Sequence, residues 1–531
     1  MEPLQAGVYE NGVFRQGDVR IADLSGRKKL PLGMSNFLAV MDTAVFVDKS
    51  MLVADVVDGA GQVKLFCRPR RFGKSLNLDM LQRFFEIPSP SDPNARDTTD
   101  LFRGLGIWDA EEGRYRSFHG AFPVIRFSFG NAKDADWETS LQVIRVNVAM
   151  EYERHRYVLD GEALSPDERA LFGRITGRTA NDGELASSLL FLTRVLNKHH
   201  RKPVIVLVDE YDAPVMAGYT HGYYAEVVGF LKGWLTGALK DNAALGYGVL
   251  TGVQRISKES VFSDLNNLTV NTPLSVASDE RYGFTQAEVD ALAAYRNESA
   301  AVPEARRWYD GYRFGSIDVF NPWSALSYFE NGCTADIYWG NTSGNSVLGD
   351  MVACADGTAL QHMYQLLEPG GTVEEALDTT VVFPDIGMRE EALWAMLYLA
   401  GYLTTDDTAL PNDISRLRPL RIPNLEVSEL FRTQIVDRFA SVVGSRDRLR
   451  RLHRAFVDGD AEIVQGELAS ILLNSASYYD LTREESYHAL VLGLLFGISA
   501  YGDPLSNRES GRRGGLRRPI CRTTAQIGRA H

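Results

Sequence analysis

The stretch VKLFCRPRRFGKSLNLDMLQRFFE, residues 63–86, limits the fold of this chain more than any other. Val63 to Cys67 is a short apolar run of the kind that makes a buried strand, and Arg68 to Gly73 is a polar turn. Leu78, Leu81 and Phe85 then recur at i, i+3 and i+7, with Leu76, Met80 and Phe84 four apart beside them, which is helical spacing. Strand, turn and Gly73-Lys74-Ser75 opening a helix form the layout of a phosphate-binding loop. The first turn of a helix has N–H groups without internal partners and the positive end of the dipole, so an anion settles there. Gly73 admits close backbone approach, Lys74 reaches terminal phosphates as a point charge, and the Ser75 hydroxyl suits Mg²⁺. A full G-x-x-x-x-G-K-[ST] pattern needs glycine at position 68, where this chain has Arg68, followed by Pro69, Arg70 and Arg71. An ordinary strand-to-helix turn with a basic rim is the plainer alternative.

A second element supports the first. In PVIVLVDEYDAP, residues 203–214, Val204 to Val208 are consecutive apolar residues rich in β-branched side chains. That composition suits a strand buried on both faces of a parallel sheet. Asp209 and Glu210 follow at its carboxyl end, where open α/β sheets bind ligands. Asp209 is expected to hold Mg²⁺ through water, and Glu210 to orient or deprotonate the water that attacks a γ-phosphate. Asp212 reads as a solvated turn residue, with a supporting role behind the site as the alternative.

Both segments resemble the two halves of the AAA-ATPase-like family, a divergent bacterial P-loop group. LPLGMSNF (30–37), FVDKS (46–50), FPVIRFSF (122–129), LTGVQRISKESVFSDLNNL (250–268), WYDGYRFG (308–315), NPWSALSYF (321–329) and YWGNTSGNS (338–346) resemble further family blocks, in family order. The resemblance runs over residues 30–510 and accommodates an arginine-rich loop front. It implies a doubly wound, mostly parallel α/β sheet with an extra strand between the two motif strands, and ATP with Mg²⁺ as cofactors. Arg70, Arg71, Phe72, Gly73, Lys74, Ser75, Leu76 and Thr251 would bind the nucleotide. Ser75 and Asp209 would hold the metal, and Glu210, Lys74 and Arg255 would be catalytic. Thr251 and Gln254 are the candidates for sensing the γ-phosphate; Arg255 would act in cis or across a subunit boundary, with a surface arginine as the plainer reading.

Length and composition are compatible. A chain of 531 residues, 45% hydrophobic and 24% charged, has ample core for about three domains. The net charge of −13 argues against a nucleic-acid coat, though not against a local basic groove. Cys67, Cys333, Cys354 and Cys521 are scattered, as free thiols in a reducing cytoplasm would be. The beginning, MEPLQAGVYENG, is polar and unlike a signal peptide, and the apolar run from His488 to Ala500 is too short for a membrane span.

In chain order, residues 1–29 read as a surface leader and 30–280 as the P-loop domain. A helix is expected from Met51 to Asp58, with Asp48 and Lys49 as a solvated capping pair or, alternatively, a nucleotide contact. Ala135–Arg156 and Asp182–His200 read as helices, and Lys74 and Asp209 stand 135 positions apart. A helical lid over 281–345 opens on a capping box, Thr285 with Glu288, stapled by Phe284 and Val289. WYDGYRFG is a tight aromatic turn in which Arg313 either packs or reads the nucleotide, and Asn321-Pro322 opens the next helix. Residues 346–483 are mainly helical. A helix ending at Gly401, a hairpin and RIPNLEV (421–427) suggest a winged-helix region that could dock DNA or a protein. Arg446, Arg448, Arg450, Arg451 and Arg454 read as a solvated helix face. An oligomer is left open.

Residues 484–511 resemble the start of a PD-(D/E)xK nuclease-like domain, in which His488 and Glu509 would be remnants. No Glu-x-Lys follows, so nuclease chemistry, which needs those metal ligands, is not expected. Residues 512–531 carry six arginines, no lysine and no acidic residue. They read as a shifted frame, QIGRAH matching one frame of a common sequencing adapter, with a genuine basic tail as the alternative.

Overall fold

The computed structural model describes residues 7–88, 96–255, 265–340, 357–380, 390–407, 416–443 and 445–475, together with Leu494 and Ile498. They fall into two compact units, one within 1–355 and 362–431, the other within 356–361 and 432–531.

The expected surface leader is a folded meander. Strands β1 (Val8–Glu10), β2 (Val13–Gln16) and β3 (Val19–Ala22) pair antiparallel, and β4 (Phe46–Val47) joins the edge of β3. Asn11 and Gly12 both take positive φ, 51° and 78°, between paired strands. An Asn-Gly turn of that kind matches the twist of a hairpin and was the available sequence signal. Phe14 and Ile21 share a core with Val289, Leu292 and Tyr295 from the helix Gln286–Arg296, so the meander is held by a segment far along the chain.

The central sheet has the order β6-β7-β8-β5-β9 and is parallel throughout. Its strands are β5 (Val63–Cys67), β6 (Val124–Ser128), β7 (Val204–Asp209), β8 (Leu245–Gly252) and β9 (Leu268–Asn271). Every residue of β5 and β7 is buried, including Lys64, whose ammonium donates to the carbonyls of Val56 at 2.9 Å and Gly61 at 2.8 Å, and Asp209 at the end of β7. The strand between β5 and β7 in space is β8, which follows both in sequence; β6, which lies between them in sequence, goes to the edge. The helices Leu52–Asp58 and Trp137–Arg154 lie within their expected spans. Asp182–His200 is broken at Ser187 into Asp182–Ala186 and Ser188–His200.

The expected lid contains the helices Gln286–Arg296, Val302–Tyr309 and Pro322–Glu330, with the Thr285–Glu288 capping box and the Asn321 cap formed. It also contains an unexpected antiparallel sheet in which β12 (Ile317–Phe320) lies between β10 (Phe284–Thr285) and β11 (Tyr312–Phe314). Farther on, β13 (Val373–Ala376) pairs with β14 (Leu417–Leu420), and Thr404 bridges to Arg421. The main partner of β14 therefore precedes the helix Glu390–Ala400, rather than following it as the expected hairpin would.

In the second unit the basic run lies on the helix Arg446–Asp458, next to the helix Ala461–Ser475. Arg448 and Arg451 face Glu467, and Arg450 pairs with Asp447. Cys354, Cys521, His488, Glu509 and the tail 512–531 lie outside the described residues. Among the described residues no helix is long and apolar enough to cross a membrane.

Candidate functional site

Strand register brings the motifs to one edge. Cys67 of β5 stands opposite Gly252 of β8, and Ser128 of β6 opposite Asp209 of β7, so the loops leave the sheet side by side at its carboxyl end. Gly73 caps the helix Lys74–Phe85 with φ +80°, a left-handed conformation that glycine adopts without the Cβ penalty. The Lys74 ammonium folds back over the loop, donating to the carbonyls of Arg68 at 3.0 Å and Pro69 at 2.8 Å. Burial pushes its pKa below the ordinary lysine range, opposed by the charges of Asp212, Asp209 and Glu210, in that order.

Arg68, at the position where the full pattern has glycine, turns away from the loop into the core. Its guanidinium donates to the carbonyls of Cys67 at 2.9 Å, Asn271 at 3.0 Å and Ser278 at 3.4 Å. It lies between the rings of Tyr282 and Phe314, 5.3 and 5.1 Å from their centroids. Phe72 is also a packing residue, its ring against Tyr312 and Phe314. Arg71 has positive φ and lies 4.4 Å over the Trp323 ring, while Arg70 reaches the Met216 sulfur at 3.7 Å. Burial drives the Cys67 thiol up to about 12, which makes it an inert core group.

At the end of β7, Asp209 is buried and accepts from the Thr251 hydroxyl at 2.5 Å and from the Glu210 N–H at 3.0 Å. The Thr251 hydroxyl is thus directed at the acid. Glu210, at φ +49°, sends its half-exposed carboxylate toward Lys133, 3.1 Å away. The reading of Asp212 as a solvated turn residue is corrected: it is buried and accepts from the N–H groups of Val253 at 2.8 Å and Gln254 at 2.9 Å. Burial raises its pKa, and those two N–H groups and Lys74 oppose the rise. Gly252 makes this fit, because a methyl group there would lie 2.8 Å from the Asp212 carboxylate.

A cavity of about 340 Å³ brings these groups together, within the size range of ligand pockets. Its wall includes Arg70 to Leu76 from the loop, and Glu210 and Asp212 from the turn after β7. Asp209 and Thr251 are buried and do not contribute to that wall. Lys133 and Arg281 also line it; neither belongs to a motif that spacing could have flagged.

Other candidates go elsewhere. Arg255 and Arg313 are not on the cavity wall, and Arg313 pairs with Asp318 across the β11–β12 hairpin. Gln254 is buried, its carbonyl accepting from Tyr211. Asp48 and Lys49 are not a solvated pair: Asp48 accepts from Ser50 and Gly106 N–H groups, while Lys49 is buried against Glu288 at 2.6 Å and lines the cavity.

A left-handed glycine before a helix start, with an ammonium, a hydroxyl and two carboxylates lining one cavity, fits a polyphosphate with a divalent cation. Residues 31–262 match the family model described as a predicted AAA-ATPase. The chain is also 30% identical over 422 residues to "Uncharacterized protein in vnfD 5'region" of Azotobacter chroococcum mcd 1, an alignment covering 78% of this chain and 71% of that protein.

Proposed function

The chain belongs to the predicted AAA-ATPase family, and from that premise we propose that it binds ATP with Mg²⁺ and hydrolyses it, acting as a molecular switch. The observation that carries the reading is one cavity lined both by Lys74 and Ser75, from the loop after β5, and by Glu210 and Asp212, from the turn after β7.

In this mechanism the N–H groups of the first helical turn and the Lys74 ammonium take the phosphate oxygens, Lys74 exchanging the Arg68 and Pro69 carbonyls for them. Ser75 and, through water, Asp209 would hold Mg²⁺, which when bound spreads the charge developing on the phosphates. Thr251 fixes the Asp209 carboxylate from the neighbouring strand. Glu210 orients the attacking water and accepts its proton, and Lys133 sets where that carboxylate rests. Asp212 tethers the end of β8 through two backbone N–H groups and adds a third negative charge opposite Lys74. Arg255 lies off the wall, so a catalytic role for it is proposed only across a subunit boundary.

The C-terminal helices would serve as the output, docking a protein or nucleic-acid partner. The ion pairs of Arg448, Arg450 and Arg451 favour a protein over phosphates. The test is titration of the intact chain with a fluorescent ATP analogue, with and without Mg²⁺, alongside phosphate release. Saturable binding lost in Lys74→Ala supports the reading, and wild-type protein that binds no nucleotide overturns it. Binding without phosphate release would leave a nucleotide-binding interaction module, the non-hydrolysing alternative.

A further inference from the structure

The cavity extends past the phosphate loop into an apolar end that the hydrolytic residues do not use. Pro31, Leu32 and Met34 line it from the turn before the helix Phe37–Thr43. Phe284 lines it from β10, and Trp323 and Leu326 from the start of the helix Pro322–Glu330. LPLG and NPWS, about 290 residues apart in the chain, therefore meet beside the GKS loop. The approach is close: a methyl group added at Gly33 would lie 4.0 Å from the Trp323 ring.

The ring is held in place on its polar edge. Its indole N–H donates to the Tyr338 carbonyl at 3.2 Å, and the Trp323 backbone N–H donates to the Asn321 side chain at 3.0 Å. One face is covered by the Arg71 guanidinium at 4.4 Å, a planar cation carried by the phosphate loop itself. A guanidinium already lies over that face, and the loop that supplies it is the one placed to hold phosphates. Aromatic faces stack nucleobases as readily as guanidinium groups.

We propose that this apolar end is the nucleobase subsite. The base stacks on the Trp323 face now under Arg71, beside the Pro31–Met34 turn, and Arg71 is displaced from the ring toward the phosphates. The assignment rests on the phosphate-loop reading above, and the experiment separates the two. Intact wild-type, Trp323→Ala, Trp323→Phe and Lys74→Ala proteins are titrated with ATP and with inorganic tripolyphosphate, which has the charges without the base. Trp323→Ala should bind ATP about tenfold to hundredfold more weakly, the range set by one base–aromatic stack, while tripolyphosphate affinity stays within about twofold. Trp323→Phe should recover most of the ATP affinity, which also shows that the alanine protein loses a stack rather than its fold. Unchanged ATP affinity in Trp323→Ala, or equal losses for both ligands, overturns the base subsite. Lys74→Ala should weaken both ligands together; if tripolyphosphate binding survives it, the phosphate-loop reading falls instead.

Discussion

The Lys133 ammonium stands 3.1 Å from the Glu210 carboxylate, joining the loop after β6 to the turn after β7, and both residues line the cavity. Both side chains are nearly half exposed, at 46% and 41%, so the pair contributes little to stability. Glu210→Gln should retain ATP binding and slow phosphate release by about 10²–10³-fold, as loss of one preorganised catalytic contact does. Lys133→Ala, which frees the carboxylate, should raise basal turnover several-fold and have no effect in the Glu210→Gln background. Single-turnover phosphate release across this double-mutant cycle is the measurement; additive effects would show that Lys133 does not act through Glu210.

Arg68→Gly would complete the G-x-x-x-x-G-K-S pattern and should nevertheless damage the protein. It removes hydrogen bonds to two buried carbonyls and one half-buried carbonyl, and the packing of a guanidinium against Tyr282 and Phe314. A loss of about 2–4 kcal/mol is expected, the sum of unsatisfied carbonyls and a partly collapsed cavity. Denaturant unfolding of the variant beside wild type measures it. A variant as stable as wild type would mean that Arg68 does not brace the loop.

Glu426 gives a pH dependence with a definite sign. Its fully buried carboxylate accepts the N–H groups of Tyr338 and Trp339 at 2.6 Å and the Ser324 hydroxyl at 2.7 Å. Burial still wins and raises its pKa to about 7. A raised carboxyl binds more protons folded than unfolded, so its stabilising contribution is complete below about pH 4.5 and is lost as pH rises to 7. Glu426→Gln can keep the three contacts without the charge, and it should flatten the loss between those pH values. Unfolding free energies at pH 5 and pH 8 for both proteins decide it.

The histidines behind β6 act with the opposite sign. His155 is buried against Arg154, Glu151 and the Val124 carbonyl, and Tyr157 links it to His200 at 2.8 Å. Burial lowers both pKa values, with Arg154 acting on His155; His200 falls to about 4 under burial, His199, His155 and Lys202. Glu151 and Glu86 oppose the shift at His155. The unfolded chain therefore takes up more protons below about pH 6.5, and stability falls as pH drops from there toward 4. His200→Gln should weaken that acid limb in a pH-jump unfolding series while leaving the alkaline limb as in wild type.

The parts legible in the linear chain are those whose cause is local. The strand Val63–Cys67, the helical spacing after Gly73 and the burial of the apolar run Val204–Val208 follow from side-chain pattern and from a glycine's access to positive φ. What was missed depends on neighbours that no spacing encodes. Asp212 faces inward because β8 ends beside it with a glycine; Arg68 is structural because the carbonyls of Asn271 and Ser278, some 200 residues on, lie within its reach. Residues 8–22 form a meander because a helix after residue 285 completes their core. Local periodicity can specify a strand or a helix. The order of the strands, and hence which distant side chains share one cavity, depends on how those elements exclude water from each other's faces, which is a property of the assembled core.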